Sequence, residues 1–409
     1  MFLYNKNTFK LLSFFFFFTR DFWLFLFLHI LPCLFGKKQY SEVRFLFFFS
    51  FIFSFHNMFF AVIGNNFELC QKELAFLHPS RVEQIDEHLV LFDTVETEKI
   101  SQLAGLVKWG KVFPFKEIEK KLYDQEGGTK RILWIADHNL GLGFKKKYKM
   151  KRFKPVELLH TDMDVKKKGI ELVKLGKEWG IVEGYQDIAL YEVVDFKKPV
   201  RSMQVGMMPA KLTHQLVMIG LSYLEKKGKK EKKSLIFDPF CGMGTTGFIA
   251  NALGFDFVWS DLQIDSALKN KQWREKNVHF SQGKIFEFFQ QDCTKAFSSK
   301  FQILSKFVPV IVTEGWLGPI VSKNTTSAEI QQFQKEVQNV YLGFLRNIRE
   351  MFAENPVMVF TIPYYLGQEN FLENEIENLA RKYEWKMESI SDVYRRENQK
   401  VWRKVLVLW

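Results

Sequence analysis

Beyond residue 200 the chain alternates two kinds of segment. Short apolar runs, SLIF (234–237), FDFVWS (255–260), VPVIVT (308–313) and PVMVFTIP (356–363), read as buried strands. Between them lie longer stretches that read as helices over 244–253, 263–276, 327–353 and 370–384. Ser327 is the expected N-cap of the third, with Glu329 in its first turn. The stretch from 277 up to VPVIVT reads as polar. A helix entered through a proline precedes the first run, in SMQVGMMPAKLTHQLVMIGLSYL. The tail DVYRRENQKVWRKVLVLW reads as two strands about a polar turn. Such alternation predicts an α/β fold, a parallel sheet wrapped by helices, with the hairpin as an antiparallel edge.

Between 58 and 200 the pattern changes. FFAVIG (59–64) is a strand stopped by Gly-Asn-Asn. From Phe67 to Leu77 the spacing is helical, with Phe67, Cys70, Leu74 and Leu77 on one face. HLVLFDTV (88–95) and KRILWIAD (130–137) read as strands. VETEKISQLAGLVKWG (95–110) and VKKKGIELVKLGKEWG (165–180) read as helices stopped by Gly110 and Gly180. Two small α+β modules are predicted, one over 58–115 and one over 116–200, ahead of a third domain over 201–409.

Residues 1–57 are compositionally foreign, since about a third of them are Phe, far above ordinary usage. The uncharged segment 22–36 is shorter than the ~18–20 residues that span a bilayer, and it contains His29 and Pro32. We expect a mis-assigned start upstream of Met58, or a disordered leader, and hence a cytoplasmic protein. The alternative, a membrane anchor, would make it membrane-associated.

The chain carries 58 Lys and Arg against 46 Asp and Glu, a net charge of +12, which favours polyanionic partners. Four Cys without CxxC or zinc spacing predict reduced thiols and no metal. In GFKKKYKMKRFKP (143–155), Lys145, Lys147, Lys149, Lys151 and Arg152 are interleaved with Phe144, Tyr148 and Phe153. Cations meet phosphates and aromatic faces stack on unpaired bases, a mixture that suits RNA. The alternative is a solvated basic loop whose aromatics point inward.

The candidate chemistry lies in SLIFDPFCGMGTTGFIANALGFDFVWSDL (234–262). A strand ends at Asp238, and Gly242 and Gly244 then let backbone approach a ligand. Asp261 closes the next strand, where a carboxylate can hold both hydroxyls of a ribose. Gly242, Gly244 and Gly247 also complete a GxGxxG, so dinucleotide binding is a rival. Asp238 opposes it, because a carboxylate there repels a pyrophosphate and suits a cationic group. Ribose, amino acid and sulfonium together describe S-adenosylmethionine. Asp292, in FFQQDCTKA, is a third acid, placed to accept from an adenine amine.

The order MPAKL (208–212), DPFCGMGT (238–245), Asp261, Asp292 and VTEGWLGP (312–319) resembles the THUMP-domain class I RNA methyltransferases. The likeness is greatest to the branch methylating guanosine N2 in tRNA. It is strong over about 200–409 and in the first 25 residues after Met58, and weak over 116–200. It implies a Rossmann-like class I methyltransferase sheet preceded by ferredoxin-like and THUMP-like modules. It also implies that Asp238 and Gly242 hold the methionyl part, Asp261 the ribose and Asp292 the adenine. The MPAKL segment, with Pro209, would form a wall over the cofactor, and Phe240, Gly244 and Thr313 would complete its site. Amino-methylating relatives carry Asp-Pro-Pro-Tyr, or Asn for Asp, after the fourth strand. Here Thr313-Glu314-Gly315-Trp316 stands there, so both prolines are absent and the aromatic is displaced by one position. Glu314 and Trp316 are the expected catalytic pair, one orienting an amine and the other stacking on a flipped base. The expected activity is methylation of a guanine amine in tRNA. The alternatives are a DNA amino-methyltransferase and a catalytically silent RNA-binding protein on the same scaffold.

Overall fold

The computed structural model describes residues 58–64, 66–123, 132–135, 138–147, 152–159, 169–201, 207–228, 234–277, 285–299, 301, 304, 307–322, 324–365, 371–394 and 401–409. The Phe-rich leader lies outside the described residues, among which no helix is long and apolar enough to cross a membrane.

The C-terminal half is built as the alternation predicts. Its strands are β9 (Ser234–Asp238), β10 (Asp256–Asp261), β11 (Ile285–Gln290), β12 (Val308–Thr313), β13 (Val357–Tyr365), β14 (Met387–Tyr394) and β15 (Val401–Leu408). They form a seven-stranded sheet in the order β11-β10-β9-β12-β13-β15-β14. The first five run parallel, while β15 is antiparallel to both β13 and β14. This is a Rossmann-like α/β sheet with an antiparallel C-terminal hairpin. Chain order reverses beside β9, and in open α/β sheets such a switch point leaves a crevice at the strands' carboxyl ends. Two details differ from the sequence reading. The stretch read as polar contains β11, whose IFEFFQ carries the chain toward Asp292. The helix Ser327–Met351 is capped by Thr326 rather than Ser327, in a capping box with Glu329.

The N-terminal half departs further. Its strands are β1 (Met58–Ile63), β2 (Val82–Gln84), β3 (Leu89–Asp93), β4 (Leu106–Phe113), β5 (Ile132–Ile135), β6 (Arg152–Pro155), β7 (Gly169–Leu175) and β8 (Glu178–Tyr185). Both helices predicted to end in glycine are corrected. Residues 97–102 form a short 3-10 turn and β4 follows, while 169–185 is the hairpin of β7 and β8. The two glycines read as stops lie within strands that pair with each other, Val112 opposite Gly180 and Gly110 opposite Val182. A Cβ at Gly180 would stand 2.3 Å from the Phe60 ring, and one at Gly110 only 1.8 Å from the Ile181 carbonyl oxygen. They are glycines because neighbouring groups fill the space. Pairing of β4 with β8 joins the two expected modules into one eight-stranded sheet, ordered β2-β3-β1-β4-β8-β7-β5-β6.

The α-helices among the described residues are α1 (Phe67–Leu74), α2 (Phe115–Tyr123), α3 (His138–Lys147), α4 (Ile188–Glu192), α5 (Ala210–Lys226), α6 (Thr245–Ala252), α7 (Asp265–Asn277), α8, the capped Ser327–Met351, and α9 (Glu373–Lys382). Residues Leu212 to Leu224 of α5 are buried on every side. One apolar core runs from Phe59, Ala61 and Ile63 of β1 through α5 to Ile236, Val310 and Val359 of the parallel sheet. At the contact of α1 with α5, Glu73 is fully buried. Its carboxylate accepts from the backbone N–H groups of Ala104 and Gly105, and burial pushes its pKa up to about 7. Removing a buried acceptor leaves its donors unpaired. Glu73→Ala is therefore expected to lower stability by about 2–4 kcal/mol, read as a lower urea midpoint at unchanged slope.

Candidate functional site

The cavity at the carboxyl ends of β9, β10, β11 and β12 has a volume of about 1040 Å³. Its lining brings together residues far apart in sequence: Asp238, Phe240, Gly242, Asp261, Asp292, Glu314 and Trp316. All were singled out from the sequence. Pro209, Gly244 and Thr313 were also expected there, but they do not line it. Pro209 stands before α5 and accepts from the Thr213 hydroxyl at 3.0 Å. Thr313 is buried and hydrogen-bonds Asp238 through its side chain. Gly244 is pressed against Trp259, and at Gly247 an added Cβ would stand 1.8 Å from the indole nitrogen. The second and third glycines thus serve close packing of α6 on β10, and of these three Gly242 borders the cavity.

Asp238 ends β9 and is 2% exposed. It accepts from the Phe240 N–H at 3.1 Å and from the side chains of Thr246 and Thr313. Burial pushes its carboxyl up to about 7 against these hydrogen bonds, and the neighbouring charge of Asp261 adds to the rise. Asp261 ends β10, adjacent to β9, with one oxygen accepting from Gly242 N–H at 2.8 Å and the other from Gln263 N–H at 2.9 Å. Burial raises its pKa as well. Leu262 N–H is a third backbone donor to it, and since a carboxylate offers about four lone-pair sites, one remains for a ligand. Asp292 follows β11 and lies nearer solvent. The Thr294 hydroxyl and N–H bind one of its oxygens at 2.6 and 2.9 Å, holding its pKa below the usual carboxylate range. Cys241 also lines the cavity, and burial and the two nearby carboxylates push its thiol up, which disfavours the thiolate.

The loop after β12 is held from beneath by hydroxyl groups. Thr361 of β13 donates to the Glu314 carbonyl at 2.7 Å, Tyr341 of α8 shares its one proton between the Thr361 and Glu314 carbonyls at 2.7 and 3.2 Å, and Tyr365 donates to the Leu317 carbonyl at 2.9 Å. Gly315 has φ +71°. Proline, fixed near −65°, cannot take that conformation, so the missing proline reflects a different backbone path. Trp316 is half-buried against the core beneath α8 while lining the cavity. The Glu314 side chain forms a salt bridge with Arg403 of β15. Sequence reasoning missed Arg403. The available signal was a lone internal Arg among the apolar residues of VWRKVLVLW. It also missed Lys198, which is 1% exposed and donates to the Thr245 hydroxyl at 2.8 Å. Burial pulls the Lys198 amine down to about 8.

The basic stretch sits apart from the cavity lining. Lys145 and Lys147 are exposed at the C-terminal end of α3, with Lys147 paired to Glu119. Phe144 is buried between Phe115 and Trp179, with ring centroids 5.9 and 5.4 Å away, so it presents no face to a base. Tyr148, Lys149 and Lys151 lie outside the described residues, and Arg152 opens β6. Among the described residues no cluster of His, Cys, Asp and Glu could hold a metal ion.

No protein-family model matches the chain, and no curated protein does. Similar solved structures include a possible methylase from Clostridium difficile 630, 11% identical, covering 86% of this chain and 97% of that one with a TM-score of 0.39. Another is magnesium protoporphyrin IX methyltransferase from Synechocystis PCC 6803 with bound SAM, 9% identical over 54% and 95% of the two chains, TM-score 0.31. A third is an rRNA methylase from Streptococcus thermophilus, 11% identical over 43% and 87%, TM-score 0.26. Identities and scores are low, so the functional reading rests on the cavity itself.

Two outcomes are expected from this geometry. The raised Asp238 pKa means that the folded protein binds a proton more tightly than the unfolded chain between about pH 4 and 7. Its contribution to stability is present below that window and is lost as pH rises through 7. Asp238→Asn is expected to match wild type near pH 4 and to exceed it by on the order of 2 kcal/mol at pH 8, by thermal melting across pH. At Gly315 an added Cβ would lie 2.2 Å from the Tyr341 hydroxyl. Gly315→Ala is expected to cost about 2–3 kcal/mol and to expose the Trp316 indole, seen as a shifted tryptophan emission in a folded variant.

Proposed function

We infer that residues 201–409 form an S-adenosylmethionine-dependent methyltransferase domain acting on RNA, most specifically on a guanine amine in tRNA. The observation that carries this reading is the convergence of Asp238, Asp261, Asp292 and Glu314 on one cavity at a switch point. The donor set fits the cofactor. Two carboxylates of raised pKa, Asp238 buried and Asp261 half-buried, favour a cation beside them, and Gly242 has open space where a Cβ would stand. Asp261 retains an acceptor site for a ribose hydroxyl, and Asp292 one for an adenine amine. When bound, S-adenosylmethionine supplies a methyl group on a sulfonium, an electrophile that needs little further activation.

The chain's own task is then positioning, which can supply much of the acceleration. Glu314 accepts an N–H of the target amine and fixes the direction of its lone pair. Trp316 offers a face to a base taken out of its stack. A carboxylate only accepts, and guanine presents two adjacent donors, N1–H and the N2 amine. Adenine presents an acceptor at N1, which the carboxylate repels. Support for RNA comes from the +12 charge and the exposed lysines on α3. In this reading residues 58–115 and 116–200 act as the ferredoxin-like and THUMP-like parts of an RNA grip.

Incubation of tRNA with the protein and isotope-labelled cofactor, followed by nucleoside mass spectrometry, is expected to yield labelled methylguanosine. Label confined to adenosine, or bound cofactor with no transfer, would overturn the guanine reading or the enzyme reading respectively. Asp261→Ala should weaken cofactor affinity about 30-fold while leaving RNA affinity within about twofold, by calorimetry and filter binding.

A further inference from the structure

Glu314 leaves the end of β12, and Arg403 lies in β15 on the far side of β13. Arg403 is 3% exposed, yet it lines the same cavity as Glu314, and its Nε donates to Glu314 Oε1. A guanidinium in so apolar a strand is costly unless paired. With the Glu314 carbonyl held by Tyr341 and Thr361, both backbone and one carboxylate oxygen are anchored. Oε2 remains as the acceptor for a ligand.

We propose that Arg403 is a positioning residue, holding the Glu314 carboxylate so that its second oxygen accepts the N–H of the target amine. The inference rests on the methyltransferase reading above. Around Glu314 the charged and titratable groups are Arg403 from β15, the Tyr341 hydroxyl from α8, and Lys198, whose field includes it; Asp238 lines the same cavity. Without Arg403 the Glu314 carboxylate is free to turn about its side-chain bonds, and its acceptor oxygen is no longer aimed at the amine. Loss of Arg403 therefore falls on kcat rather than on KM or cofactor affinity, and another cation at the position restores part of it, which a purely structural role does not produce.

The test measures methyl transfer to tRNA by wild type, Arg403→Met and Arg403→Lys, with cofactor affinity by calorimetry. Arg403→Met should keep cofactor affinity within about threefold and lose about 100-fold in kcat, with KM for RNA little changed. Arg403→Lys keeps the cation but not the planar fork, so only about a tenfold loss in kcat is expected. Should Arg403→Met fail to fold, Arg403→Lys decides the matter, and full wild-type kcat in it overturns the proposal. A folded Arg403→Met whose loss falls on KM or cofactor affinity instead of kcat does the same. A wild-type protein that transfers no methyl sinks both the reading and this inference, whereas fully active Arg403 variants sink the inference alone.

Discussion

Two carboxylates on adjacent parallel strands, both short of water, set the terms for everything around them. Asp238 and Asp261 end β9 and β10, burial raises both carboxyls, and the charge of Asp261 adds to the cost at Asp238. Asp261 also ties the glycine loop to its own strand end through Gly242 N–H. Such an arrangement is costly for a protein with nothing to bind there. It becomes favourable when a cation and a set of hydroxyl donors enter, which is why the cavity reads as a cofactor site. The buried Trp259 makes the loop possible from behind, since α6 rests on its indole at Gly244 and Gly247.

The acceptor loop is governed by a different rule. Where related motifs use prolines to stiffen the chain, this loop takes a left-handed path at Gly315 and Gly318 and is braced by tyrosine hydroxyls on its carbonyls. Rigidity is thus supplied by α8 and β13 instead of by the loop's own covalent structure. The Glu314 carboxylate is braced in the same manner, by a side chain from the last strand.

Sequence patterns performed unequally along the chain. Over 201–409 the apolar runs were unbroken and the helices long, so each strand except β11 could be read directly. That one is not legible because Glu287 interrupts IFEFFQ and its surroundings are polar. Between 95 and 185 glycine misled. Gly110 and Gly180 looked like helix stops, but their lack of side chains accommodates a neighbouring carbonyl and the Phe60 ring. Steric demand from a partner strand leaves no trace in the local pattern. Phe144 shows the same limit, since burial against Phe115 and Trp179 removes an aromatic that seemed available for stacking.

The sequence by itself determined the parallel sheet, its hairpin edge and the acids at the strand ends. Strand ends and the turns after them are local features, and residue type there reflects what a crevice must hold. Tertiary structure alone decided which groups share the cavity and which stand behind it. It set Thr313 and Gly244 behind the wall, and it brought Arg403 to Glu314 across 89 positions of chain. It also fused two expected modules into one sheet through β4 and β8. Such pairings depend on register and packing between distant segments, and no window of neighbouring residues contains that information.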